Sequence, residues 1–81
     1  MTIAVRLFAR ARDLAGADSV TIPVSLPTTV ADVRAALMIR YPKLKALGPH
    51  LLAAVNSEYA ENGDTILAGS EVAFFPPVSG G

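Results

Sequence analysis

Between Pro27 and Pro42 the chain carries its clearest stretch of helical periodicity, and the segments that flank it read mostly as strand. Thr29 and Asp32 stand at capping-box spacing at its start, although Asp reaches less far than the usual Glu. Val30, Val33, Leu37 and Tyr41 recur at three- and four-residue intervals, which makes one apolar stripe for a core. Pro42 ends it, because the residue before a proline is pushed out of the helical region. One long helix with strands before and after it leaves few architectures, chiefly a sheet with the helix laid across one face.

The strands can be placed from their alternation. In Thr2 to Phe8, the residues Ile3, Val5 and Leu7 share one face while Ala4, Arg6 and Phe8 share the other. Ala9 to Ala15 is rich in Ala and Arg and is stopped by Gly16, so it reads as one or two helical turns. Ser19 to Val24 is a β-rich run in which Pro23 lacks a donor, which suits a strand at or ending at a sheet edge. Leu44 and Leu47 anchor a short turn closed by Gly48-Pro49. Leu51 to Asn56 is nearly all apolar and predicts a strand buried on both faces, central in the sheet. Asn62-Gly63-Asp64 and Gly69-Ser70 mark turns, and Glu71 to Phe75 is the last strand, ended by Pro76-Pro77. The expected fold class is α+β: a β-grasp (ubiquitin-like) domain, a mixed sheet of about four or five strands with one main helix on one face. The domain is expected to span residues 1–76, followed by a Gly-Gly tail over 77–81.

Composition narrows the function. The 81 residues suffice for one domain, and 52% of them are apolar, enough for a modest core. With no cysteine, neither a disulfide nor a thiolate metal site can staple it, and no thiol is present to carry sulfur. Seven basic and seven acidic residues cancel, which argues against nucleic acid or an acidic membrane as the main partner. No signal peptide is evident, and the apolar run Leu51 to Val55 falls far short of the roughly 20 residues that span a bilayer. The expectation is a cytoplasmic protein that binds neither nucleic acid nor membrane.

The terminus is the most reactive place on offer. Val78-Ser79-Gly80-Gly81 follows two stiff prolines with little to pack, and two residues without Cβ make a thin strand that a narrow tunnel can accept. The Gly81 carboxylate is ionised at neutral pH and resists nucleophiles. Converted to an acyl-adenylate it becomes an electrophile, and sulfide can displace AMP to leave a thiocarboxylate. Elsewhere the chain offers little chemistry. His50 is the only histidine and has no carboxylate at triad or ligand spacing, so no metal site is expected. Glu58 and Glu61 lie in a loop or turn without an evident partner, and no glycine loop carries the lysine that would hold phosphate. Any ATP must be bound by another protein.

Two segments carry a family resemblance. Leu51-Leu52-Ala53-Ala54-Val55-Asn56 and Glu71-Val72-Ala73-Phe74-Phe75-Pro76-Pro77-Val78-Ser79-Gly80-Gly81 closely resemble the small subunit of molybdopterin synthase. Leu7-Phe8-Ala9-Arg10-Ala11-Arg12-Asp13-Leu14 followed by Gly16 is similar to that family's opening. Ser79 departs from the threonine common before the glycines. The resemblance implies a sulfur carrier that binds no cofactor itself. Gly81 would be adenylated by an activating enzyme of the ubiquitin-activating-like class, using ATP with magnesium, and then become a thiocarboxylate. The tail, Val78 to Gly81, would insert into the active site of the large synthase subunit and donate sulfur to cyclic pyranopterin monophosphate. The implied assembly is a heterotetramer with small subunits at both ends of a large-subunit dimer.

Alternation also predicts which residues meet that partner. If Val72 and Phe74 face the helix, Ala73 and Phe75 face away, and Phe8 lies opposite Ile3, Val5 and Leu7. In a β-grasp the first and last strands are adjacent, so Phe8 and Phe75 are expected to share an outward aromatic patch near the tail, with Tyr59, Pro76 and Pro77 beside it. Arg6, Arg10 and Arg12 are candidates for steering an acidic partner, against the plainer reading as solvated charges. Three other functions compete with the synthase reading. They are a carrier for thiamine thiazole synthesis, which the Phe74-Phe75-Pro76-Pro77 run fits poorly, a modifier joined to lysines by isopeptide bonds, and a plain binding module.

Overall fold

Alternation from Ile3 onward produces the first strand, β1 (Thr2–Leu7), in which Ile3, Val5 and Leu7 are buried and Thr2, Ala4 and Arg6 are exposed. The computed structural model describes residues 2–77. A short helix, α1 (Ala9–Ala15), follows, and Gly16 ends it with a left-handed φ of 79° while its N–H donates to the Arg12 carbonyl. Only a residue without Cβ adopts that turn at no cost.

The chain then returns antiparallel along β1 as β2 (Ser19–Pro23), an edge strand in which Pro23 needs no partner. A two-residue strand, β3 (Thr28–Thr29), leads into α2 (Val30–Arg40). Both arms of the capping box form: Asp32 N–H donates to Thr29 Oγ1 at 3.3 Å, and Thr29 N–H donates to Asp32 Oδ2 at 3.2 Å. Val30, Val33 and Leu37 are fully buried, whereas Tyr41 stands half-buried just past the helix. Two 3₁₀ turns, Pro42–Ala46 and Gly48–His50, carry the chain back across the domain, with Leu44 sunk in the core.

Four strands complete the fold: β4 (Leu52–Val55), β5 (Glu58–Ala60), β6 (Thr65–Ile66) and β7 (Glu71–Phe75). The main sheet has the order β2-β1-β7-β4-β5, with β1 and β7 parallel and all other neighbours antiparallel. β3 and β6 pair as a separate ribbon. A mixed five-stranded sheet with α2 across one face is the β-grasp arrangement of ubiquitin-like proteins. The core lies between them, where Ile3, Val5, Ile22, Val72 and Phe74 meet the buried stripe of α2. Each such side chain stabilises the fold by about 1.5–3 kcal/mol when removed from water.

The β4 prediction needs correction. Leu51 precedes the strand, and β4 lies inside the sheet between β7 and β5, with β7 in the middle. β4 is not buried on both faces: Ala53 is core, but Leu52 on the opposite face is 38% exposed. The hairpin to β5 turns through Asn56 and Ser57, both with positive φ (51° and 71°), as a two-residue reversal between twisted strands requires.

Candidate functional site

The sheet face turned away from α2 carries an apolar patch over β4, β5 and the end of β7, with Arg6 at its margin. Its register follows from the ladders. Tyr59 lies opposite Ala54, Ala54 opposite Ala73, and Ala73 opposite Arg6, which forms one row across four strands. Leu52 opposite Phe75 begins the next row. Residues in register share a face, so these side chains stand together over the sheet.

Small residues make the surface possible. Ala54 and Ala73 leave room for the Tyr59 ring to lean over β4, and its centroid comes within 5.9 Å of the Phe75 ring at 57°. Tilted aromatic pairs at this separation attract through their quadrupoles. Tyr59 itself remains 80% exposed. Pro76, half-buried, and Pro77, exposed, continue directly from Phe75 at this corner of the face.

Phe8 keeps the outward phase that its alternation predicts, but it lies one residue beyond the strand. β1 ends at Leu7, opposite Phe74, and Phe8 is the extended residue that caps α1. It is 42% exposed, with the Arg6 guanidinium 5.5 Å from its ring centroid. The ring that meets Phe75 is that of Tyr59, and Phe8 carries Arg6 at the margin. Arg10 and Arg12 lie exposed on α1, where Arg12 is 3.7 Å from Asp13. Val78, Ser79, Gly80 and Gly81 lie outside the described residues.

Among the described residues, no three His, Cys, Asp or Glu side chains gather as a metal site, and no helix is long and apolar enough to cross a membrane. The face offers contact area rather than reactive groups. One ionisable side chain behind it is perturbed: burial lowers the pKa of Arg34, which lies on α2 among backbone carbonyls.

The chain matches the ThiS family over residues 5–81. It belongs to that family. Among its relatives, this ThiS-family chain is 40% identical over 81 residues to the molybdopterin synthase sulfur carrier subunit of Escherichia coli (strain K12), covering 98% of this chain and 99% of that one. It is 37% identical over 84 residues to small archaeal modifier protein 1 of Haloferax volcanii, covering 94% and 97%. A crystal structure of that modifier superposes with a TM-score of 0.87 at 33% identity, covering 95% of this chain and 98% of that one. The ThiS-family fold is thus ubiquitin-like.

One member of the outer face escaped the sequence reading. Leu52 sits in an unbroken apolar run, so its outward phase is hidden, although Leu51 and Ala53 on either side of it are buried. The signal was the phase shared with Ala54, which the alanines at 53 and 54 blur.

Proposed function

We propose that this chain is the sulfur carrier subunit of a molybdopterin synthase. An activating enzyme joins the Gly81 carboxylate to AMP from ATP with magnesium, releasing pyrophosphate. A sulfide-equivalent nucleophile then displaces AMP, which leaves a C-terminal thiocarboxylate. The outer sheet face docks on the large synthase subunit while Val78 to Gly81 enters that subunit's active site. There the thiocarboxylate sulfur displaces an oxygen substituent from a carbon of cyclic pyranopterin monophosphate, and water cleaves the resulting thioester, which leaves the sulfur on the pyranopterin and returns the Gly81 carboxylate. The carrier then dissociates to be recharged in the cytoplasm, and the synthase is a heterotetramer with a carrier at each end.

The observation that supports this most is the end-to-end similarity to a synthase sulfur carrier, 40% identical over 98% of the chain. The outward Leu52, Tyr59 and Phe75 add to it by placing apolar anchors beside the root of the tail. The test is sulfur transfer in vitro from the charged carrier to the pyranopterin precursor, with the large subunit present. Deleting Gly81 should abolish charging, read as loss of the mass gain that accompanies exchange of oxygen for sulfur. Transfer by the truncated chain would refute the reading.

A second reading, a protein modifier, is favoured by the similarity to the Haloferax modifier. In that case the adenylated Gly81 would react with lysine amines, forming isopeptide bonds and releasing AMP. Incubation with activating enzyme, ATP and cell protein separates the two: conjugates at higher mass support the modifier, and a thiocarboxylate without conjugates supports the carrier.

A further inference from the structure

Arg34 is a half-buried cation on α2 that no carboxylate answers among the described residues. Its Nη1 donates to two carbonyls of the segment that leads into β4, Gly48 at 2.8 Å and Leu51 at 2.6 Å. Its Nε donates to Asn62 Oδ1 at 3.1 Å, and its guanidinium carbon lies 5.1 Å from the centroid of the buried Phe74 ring. A planar guanidinium can stack and fork in this way at once, whereas an ammonium cannot.

These contacts have a pattern. Leu51 and Phe74 face inward and touch Arg34, while the residue after each, Leu52 and Phe75, faces outward and stands opposite the other in the β4–β7 ladder. We propose that Arg34 is the positioning residue of the docking face: from behind the sheet it holds Leu52 and Phe75, and with Phe75 the root of the tail, in the arrangement a partner recognises. This rests on the docking role assigned above to the outer face. Arg34 touches no reacting atom, so its effect appears in binding and KM rather than in kcat.

The experiment is a double-mutant cycle read by calorimetric titration with the large synthase subunit, alongside methyl and ring NMR shifts of the free carrier. Arg34→Lys, folded by circular dichroism, is expected to shift the Leu52 methyl and Phe75 ring signals and to weaken binding about tenfold. In a Leu52→Ala background the same change is expected to cost less than about twofold, because its route to the partner is gone. Equal losses in both backgrounds, or no loss in the native one, would overturn the proposal. Should Arg34→Lys fail to fold, Asn62→Ala removes only the Nε acceptor at an exposed position; it is expected to weaken binding about threefold with the same dependence on Leu52. No loss there overturns the proposal equally. If Leu52→Ala itself leaves binding unchanged, the docking role of the face fails, and the free-carrier shifts still decide on Arg34: unmoved signals refute it.

Discussion

Tyr59 and Phe75 lie on strands separated by β4, yet their rings meet at 5.9 Å across the alanine at 54. The pair is therefore built on the sheet surface, where a partner can cover it. Phe75→Asp is expected to weaken binding to the large synthase subunit by about 2–4 kcal/mol, the range of an interface anchor. Tyr59→Ala should cost about 1 kcal/mol, close to the value of an aromatic pair. Titration calorimetry reads both. An unchanged affinity for Phe75→Asp would remove the face from the interface.

The neighbouring phenylalanine behaves in the opposite way. Phe74 is fully buried beneath the sheet, and Phe74→Ala is expected to cost about 3–5 kcal/mol of stability. That is a large part of the roughly 4–12 kcal/mol available to a domain this size. Urea denaturation should show a sharply lower midpoint, while Phe75→Ala should move it little.

The capping box at the start of α2 is reciprocal, and replacing Thr29 by Ala removes the arm that Asp32 N–H donates to Thr29 Oγ1 while the backbone N–H of residue 29 keeps its bond to Asp32. Thr29→Ala is expected to destabilise the domain by about 1 kcal/mol. Thermal unfolding should fall by about 4–8 °C, with docking affinity unchanged at temperatures where the fold is intact.

Ser57 holds a φ of 71° in the β4–β5 reversal, a conformation that disfavours any side chain with Cβ. Ser57→Gly is expected to raise stability by about 0.5–1 kcal/mol, the relief exceeding the extra chain entropy of glycine. A higher urea midpoint with an unchanged slope would bear this out. A lower midpoint would mean that Ser57 is not strained.

How far the fold could be read depended on whether polar and apolar residues alternate. β1 was legible because Thr2 and Arg6 break the apolar series, and α2 because its caps and its Val30, Val33, Leu37 stripe agree. β4 reads as buried on both faces because its outward residues, Leu52 and Ala54, are themselves apolar. That erases the alternation, so Leu52 looks as buried as its neighbours. β5 went unseen because Asn56-Ser57 lacks the glycine that usually announces such a turn, and β3 and β6 are only two residues long.

The site was legible in part. Phase alone placed Phe75 outward, and Pro76-Pro77 marked where β7 ends. Phase also placed Phe8 outward, but its ring lies against Arg6, because the chain leaves the strand at Leu7. Arg34 carried no signal at all: its partners lie 14, 17 and 28 residues away and two of them are backbone carbonyls.

The parallel pairing of β1 with β7 has a practical outcome for handling this protein. Because the two central strands run the same way, the chain starts at one end of the sheet and β7 finishes at the other, about 20 Å away along a six-residue strand. An affinity tag, fluorophore or solid support attached before Thr2 therefore sits at the opposite pole from Phe75 and Pro77. Immobilised by that end, the protein would present Phe75, Pro77 and the outward Leu52 and Tyr59 to solution unobstructed.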